Sequence, residues 1–332
     1  MSEASNQKFR VLVFDDYEDM AAKVPAYERL IARADVTILK DRLDTPAKMA
    51  QAVREADAIL MLRERTRFGA TEFDFAPNLK LISQTGRRAA HLDLAAATGR
   101  GIPVAVTTND NGMSTTELTI GLILGLMRQI PQLDRRMRHE LWPGVAGNVV
   151  EGKTAGVIGF GRIGKEVARI LKAFRMRVLV HTRTLTEEQA REVRAERAPM
   201  ESLLKESDVV TIHIPLNDQT RGILGGKEIS LMKRGAIFVN TSRGPLVDEP
   251  ALIGALESGQ LGGAGLDVFD IEPLPLDHPL RKLDNVILLP HRGYAAVETL
   301  QELFEHAMTN ILDYLDGKPV NLLNPEVRDR RQ

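Results

Sequence analysis

There is no cysteine anywhere in the 332 residues, which excludes disulfides, thiolate nucleophiles, iron–sulfur clusters and Cys-ligated zinc together. No metal site is expected. An excess of one charge is missing as well: 44 Lys plus Arg stand against 45 Asp plus Glu, a formal net charge of −1. No global field therefore draws the chain to nucleic acid or to an anionic membrane, and an anionic ligand must be held by local groups. Long apolar runs are also lacking. The longest, LTIGLILGLM at 118–127, is about half of the roughly 20 residues that a membrane span requires, so it reads as a buried helix. The first residues, MSEASNQK, are polar and run straight into a strand, with no apolar segment of the kind that directs export. A cytoplasmic protein is expected.

What is present is a regular alternation. RVLVFDD, AYERLIARA, DVTILK, TPAKMAQAVREA, DAILML, LKLISQTG, HLDLAAATGRG and IPVAVTT take turns between strand and helix periods, the pattern of a parallel sheet with crossover helices. Thr45 followed by Pro46 marks a helix start. Ser114 and Glu117 have the spacing of a capping box, so a long helix is expected to begin there. After LWPGVAGNVVEG the alternation resumes with TAGVIG and continues to LLPH. The segment from 294 has helical periodicity up to Gly317. The length suits two domains of about 100 to 200 residues each, and both read as α/β.

TAGVIGFGRIGKEVARIL is a strand, then Gly159-x-Gly161-x-x-Gly164, then a helix. The first glycine permits a tight turn, the second lets backbone approach a pyrophosphate, and the third lets helix pack on strand, while the helix start supplies oriented amides. A dinucleotide cofactor is expected here. Downstream, Arg243, Glu272 and His291 each fall just past an apolar strand. The ends of parallel strands are where such sheets bind ligands, so the three can share one crevice. A carboxylate beside His291 would hold the ring and favour its charged form. Arg243 would grip a substrate carboxylate through two parallel hydrogen bonds, a geometry that Lys cannot match. The set suits hydride transfer to a 2-keto acid.

The blocks GVIGFGRIG, DVVTIHIPLNDQTRGILG, FVNTSRGPLVDEPALIGAL, AGLDVFDIEP and LLPHRGY closely resemble the D-isomer-specific 2-hydroxyacid dehydrogenases, the family of D-3-phosphoglycerate dehydrogenase, glyoxylate/hydroxypyruvate reductase and D-lactate dehydrogenase. The resemblance runs from RVLVFDD to VNLLNPE and places the family's catalytic Arg on Arg243, its Glu on Glu272 and its acid–base His on His291. The separation of Arg243 and Glu272, 272 − 243 = 29 positions, also matches the family's. By the same resemblance, residues 1–113 and 293–332 form a flavodoxin-like substrate domain into which a Rossmann domain, 114–292, is inserted, with the active cleft at the hinge. The cofactor would meet Gly159, Gly161, Arg162, Ile163, Gly164, Thr182, Arg183, His213, Pro215, Thr241 and Asp267. The substrate would meet Arg63, Glu64 and the backbone amides of Gly86 and Arg87. A homodimer is implied, built on the helix after Ser114, where Gly121 and Gly125 would leave a flat face for another backbone.

Where many NAD-using relatives place Asp after the second Rossmann strand, this chain has Thr182 and Arg183. NADP is therefore expected to be accepted beside NAD, and slightly favoured. Substrate choice stays open among phosphoglycerate, glyoxylate and hydroxypyruvate types, since Arg63, Arg65, Arg87 and Arg88 are available to a phosphate on this reading. A binding protein resembling the nicotinamide-sensing corepressors is the alternative, and the lack of a long extension after RDRRQ tells against it. Formate dehydrogenases pair the His with Gln, so Glu272 tells against that branch. With only two chain crossings between the domains, near 113 and 293, closure on cofactor binding is expected.

Overall fold

A computed structural model describes residues 8–327 apart from 90, 109–111, 140, 141, 143, 183–187 and 189–192. The chain divides into two compact units, one made of 1–110 together with 296–332 and the other of 111–295.

In the first unit, β1 (Phe9–Val13), β2 (Ala34–Ile38), β3 (Ala58–Met61), β4 (Leu81–Gln84) and β5 (Val104–Val106) form a parallel sheet in the order β2-β1-β3-β4-β5, the flavodoxin-like order. β3, β4 and β5 are buried at every position, as expected of strands covered on both faces. The connections carry α1 (Pro25–Ile31), α2 (Pro46–Val53), α3 (Ala70–Phe75) and α4 (Leu94–Gly99). Thr45 caps α2 by accepting from Lys48 N at 3.3 Å. The C-terminal helix, Val297–Leu315, buries Leu300, Leu303, Phe304, Ala307, Met308 and Ile311, one stripe at helical spacing. Ser83 Oγ donates to Ala307 O at 2.8 Å and Asn310 Nδ2 donates to Val106 O at 3.1 Å, fastening this helix to the sheet of the N-terminal part.

The second unit has α5 (Met113–Met127) and α6 (Ile130–His139), then β6 (Thr154–Ile158), α7 (Arg162–Ala173), β7 (Arg177–His181), β8 (Glu196–Arg197), β9 (Val209–Ile212), β10 (Ala236–Asn240), β11 (Leu261–Leu266) and β12 (Val286–Leu288). The parallel sheet runs β12-β11-β10-β9-β6-β7-β8, so the order reverses between β6 and β9, as in Rossmann sheets. α5 and α7 cover one face, where Leu122, Ile123, Leu126, Val167, Ala168 and Leu171 join Val157, Val178 and Val239. Leu122 and Leu126 sit so close to β11 that a Cβ on Gly265 would lie 3.0 Å from Leu122 Cβ. The opposite face packs Leu203, Leu204, Ile229, Leu252 and Leu256 on Val210, Ile212 and Phe238.

Two expectations about α5 are corrected. The helix begins at Met113 with Gly112 as its N-cap, and Ser114 does not cap it. The Ser114 hydroxyl donates instead to Gly293 O at 2.8 Å. The helix ends at Met127: Pro131 has no N–H and its ring would clash with the carbonyl of Met127, so the chain breaks at Gln129, which has φ 54°, and α6 starts at Ile130. Gly125 does not lie on a free face. It is buried, and a Cβ there would be 3.1 Å from Ile287 Cδ1, whereas Gly121 is exposed. Among the described residues, no helix is long and apolar enough to cross a membrane.

Candidate active site

β10, β11 and β12 are neighbours in one parallel sheet, so the segments leaving their C-terminal ends share an edge. Arg243 follows β10, Glu272 follows β11 and His291 follows β12. Glu272 Oε2 lies 2.7 Å from His291 Nδ1. An ionised carboxylate only accepts, so Nδ1 carries the proton and Nε2 is left for another partner. The His291 and Glu272 side chains are 25% and 35% exposed, enough for a ligand to reach them. Burial pushes the Glu272 carboxyl up. The hydrogen bond and charge of His291, the Phe269 amide at 3.0 Å and the charge of Arg243 outweigh it, so the carboxyl ends below its ordinary range.

Each of the three is held by its own turn. At the end of β10, buried Asn240 donates through Nδ2 to Arg243 O at 2.9 Å and accepts Ser242 N at 2.9 Å. Arg243 Nη1 donates to Ser242 O at 2.6 Å. The segment carrying Glu272 is fastened through Glu249, which accepts Asp270 N at 3.4 Å and pairs with His278 Nε2 at 3.1 Å. After β12, His291 itself has φ 54°, a left-handed conformation that L side chains seldom adopt. Asp267 Oδ1 accepts Arg292 N at 2.6 Å and Oδ2 accepts Gly293 N at 2.7 Å, closing the turn just behind it. Burial raises the Asp267 carboxyl above its ordinary range, against the pull of those two amides and of His291.

The glycine loop at the end of β6 has the shape that a dinucleotide needs. Gly159 has φ +96°, and a Cβ there would lie 2.4 Å from His213 O. A Cβ on Gly164 would lie 2.1 Å from Gly159 O, so the start of α7 is pressed onto the turn. Beside Gly161 the corresponding position is open, with nothing within 4 Å. Arg162 and Ile163 form the first turn of α7, whose amides and dipole face the same opening. His213 and Pro215 follow β9, the strand next to β6. The His213 ring reaches Thr211 Oγ1 at 3.0 Å through Nε2, its buried Nδ1 has no hydrogen-bond partner among the described residues, and burial pushes its pKa down to about 3. A neutral His beside a phosphate-sized opening and an unspent ring nitrogen fit a dinucleotide. The Thr241 hydroxyl is buried and paired with Thr119 Oγ1 at 2.9 Å. Thr182 is partly exposed past β7, and Arg183 lies outside the described residues.

In the first unit, Arg63 N donates to Thr85 Oγ1 at 2.8 Å and Arg63 Nε stands 3.9 Å from Glu64 Oε2. Two expectations change here. The Gly86 amide is already spent on Thr107 Oγ1 at 2.7 Å, because the turn after β4 packs on the strand end next to it. Arg65 is no reserve cation for a phosphate. It makes two bonds to the Glu18 carboxylate, at 2.7 and 2.8 Å, a third to Asp15 O, and its side chain is 9% exposed. Arg87 is exposed, and its Nη2 donates to Thr108 O.

Residues 120–293 match the family model described as the D-isomer specific 2-hydroxyacid dehydrogenase NAD-binding domain. The chain is 37% identical to a glyoxylate reductase from Aeropyrum pernix, over 99% of this chain and 94% of that one. This chain belongs to the D-isomer-specific 2-hydroxyacid dehydrogenases. It is a nicotinamide-dependent oxidoreductase acting on the CH–OH group of 2-hydroxyacids. Among solved structures of the family, a phosphoglycerate oxidoreductase from Vibrio cholerae superposes with a TM-score of 0.87 at 29% identity, covering 94% of this chain and all (100%) of that one. A D-lactate dehydrogenase from Aquifex aeolicus, complexed with NAD and lactic acid, superposes with a TM-score of 0.79 at 27% identity, over 95% and 99% of the two chains.

Asn240 and the pair Ser114–Thr115 were not singled out for the site from the sequence. The shared partner of Ser114 and Thr115, Gly293 O, lies beyond β12 and far away in sequence, whereas Asn240 bonds within its own turn, to Ser242 N and Arg243 O. Asp267 was assigned to the cofactor by resemblance alone. Each of its oxygens keeps a second lone pair after accepting one amide, so that assignment is compatible with the turn it closes.

Proposed function

We propose that this dehydrogenase reduces a small 2-keto acid of the glyoxylate or hydroxypyruvate type to the 2-hydroxyacid, the D-isomer where C2 becomes a stereocentre, with Arg243, Glu272 and His291 as its catalytic residues. The 2.7 Å contact of Glu272 with His291, on the strand beside the one that carries Arg243, is the observation that supports this reading. The reduced nicotinamide, when bound, supplies a hydride to the carbonyl carbon. His291 gives the proton on Nε2 to the carbonyl oxygen, where charge develops. Glu272 keeps the ring oriented through Nδ1–H and stabilises its charged form. Arg243 holds the substrate carboxylate in a two-bond fork, which fixes the carbonyl against the imidazole. In the reverse direction the neutral imidazole takes the hydroxyl proton.

Two facts support the small-acid choice. Relatives named glyoxylate reductase match over 88% and 99% of this chain, and Arg65, one of the cations that would meet a phosphate, is 9% exposed and already bonded to Glu18 and Asp15. Glyoxylate, hydroxypyruvate, phosphohydroxypyruvate, pyruvate and phenylpyruvate, each assayed with NADH and NADPH, test the proposal. We expect the highest kcat/KM for glyoxylate or hydroxypyruvate. A preference for phosphohydroxypyruvate would overturn the substrate, and turnover of none of them would overturn the reaction.

The same assay addresses the cofactor. An NAD-specific site places an acid about 20 residues past the glycine motif to repel a 2′-phosphate, and Thr182 with Arg183 cannot repel one. NADPH is expected to be accepted and Arg183→Ala to raise KM for NADPH several-fold more than for NADH, as only the former loses a charge partner. Equal effects on both cofactors would refute this.

The assembly proposed is a homodimer. α6 buries none of its residues, leaving Ile130 and Met137, seven positions apart on one helix, 56% and 49% exposed, and Trp142 and Val149 beyond it are 85% and 66% exposed. Exposed large apolar side chains of this kind suit an interaction site, and a second copy is the occupant implied by the family. Light scattering should give a dimer at micromolar concentration for the native chain and a monomer for Met137→Glu/Trp142→Asp. A native monomer refutes it.

A further inference from the structure

The turn that carries His291 is held from two sides. Behind it, Gly293 N donates to Asp267 Oδ2 at 2.7 Å, beside the Arg292 N to Oδ1 bond at 2.6 Å. On the other side of the same residue, Gly293 O accepts two hydroxyls, Ser114 Oγ at 2.8 Å and Thr115 Oγ1 at 3.0 Å. The two peptide groups flanking the Gly293 Cα are thus fixed by three side chains, from the first turn of α5 and from the end of β11. The fit leaves no slack: a Cβ at 293 would lie 3.1 Å from Asp267 Oδ2 and 3.2 Å from Thr115 Oγ1. Tyr294 is 7% exposed and edges the His291 ring at 6.3 Å between centroids, so the chain on the far side of the turn is seated as well.

The hydroxyls have no role in starting the helix. Gly112 is the N-cap, and it is the Thr116 hydroxyl that returns to Gly112 O at 3.0 Å. Ser114 and Thr115 are free to serve a neighbour, and both choose one carbonyl. His291 needs this help, since its left-handed backbone is unfavourable for a side chain with a Cβ. A relaxed turn would swing Nδ1 away from Glu272. The clamp also joins the two chain crossings between the units, at 110/111 and 295/296, because residues 114–115 follow the first and residue 293 precedes the second.

We infer that Ser114 and Thr115, acting with Asp267 on the Gly293 peptide groups, are positioning residues that hold the His291 imidazole in register with Glu272. The inference rests on the reading of His291 as the acid–base group, and the test separates the two. Ser114→Ala/Thr115→Val removes both hydroxyls at nearly constant volume. We expect kcat for 2-keto acid reduction to fall about tenfold or more, as misplacement by a fraction of an ångström does, with the cofactor Kd by fluorescence titration unchanged. Ser114→Thr and Thr115→Ser, which keep a hydroxyl, should retain activity. In a His291→Ala background the same double substitution should cost nothing further, since there is no imidazole left to place.

A second readout does not depend on turnover. The downfield proton resonance of His291 Nδ1–H bonded to carboxylate, identified by its loss in Glu272→Gln, should broaden or vanish in Ser114→Ala/Thr115→Val. Native kcat and an unchanged resonance would overturn the clamp. An equal loss of kcat with and without His291 would reduce it to a general structural contact. Full activity of His291→Ala would refute the acid–base reading instead, and the resonance would still report on the clamp.

Discussion

His291→Ala should lower kcat for 2-keto acid reduction by about 10² to 10⁴, the usual worth of a positioned acid–base group, while leaving cofactor affinity intact. The alanine variant retains the strand, the turn and the Asp267 contacts, so a folded, cofactor-binding but slow enzyme is the specific expectation. Glu272→Gln should keep more activity than His291→Ala but fall below the native enzyme, because the imidazole loses the carboxylate that orients it. The acid side follows from Glu272 itself. Its folded carboxyl lies below its ordinary range, about 4.3 for Glu, so the ion pair's contribution is present above that value and is lost only as pH falls through the lower folded value. The pair's contribution to stability should therefore be complete above pH ~4.3 and decline progressively below it, while the folded carboxylate, and with it the orientation of His291, stays ionised somewhat below pH ~4.3. Near-full turnover of His291→Ala with a normal circular dichroism spectrum would sink the assignment.

Arg243→Lys carries the second large effect. A lysine keeps the charge but cannot offer two parallel N–H groups in one plane, and the substrate carboxylate is no longer held by a fixed fork. We expect kcat/KM to drop by about 10² or more, the scale of a substrate held about an ångström out of place. Because Asn240 and Ser242 hold the backbone at this position through contacts that do not involve the guanidinium end, the fold should survive. A lysine variant within twofold of the native kcat/KM would show that Arg243 grips no carboxylate.

The site was legible in the sequence to the extent that its parts are strand endings. Arg243, Glu272 and His291 stand out because each follows an apolar run, and a parallel sheet aligns such endings on one edge. The glycine loop was legible for a related reason: turn, phosphate approach and helix packing each demand glycine at a fixed offset, so spacing alone describes the shape. Ser114 shows the limit. Its spacing to Glu117 is that of a capping box, but capping is a local competition, and a carbonyl delivered from 179 positions away won the hydroxyl. Gly125 looked like a member of an open glycine face until Ile287, on another element, filled the space beside it. Arg65 looked like a cation for a phosphate, and Glu18 had already taken both of its terminal nitrogens.

By itself, then, the sequence determined the α/β alternation, the nucleotide-binding loop, the residue types available for proton and carboxylate chemistry, and the absence of cysteine chemistry. All of these are properties of composition or of short windows, where period and spacing carry the physical constraint. Only the tertiary structure decided which polar groups are spent. It assigned the Gly86 amide to Thr107, the Thr241 hydroxyl to Thr119, and both flanks of the Gly293 turn to Asp267, Ser114 and Thr115. Hydrogen bonds are satisfied by whatever partner the packed sheet brings within about 3 Å, and that neighbour is set by strand order rather than by separation along the chain.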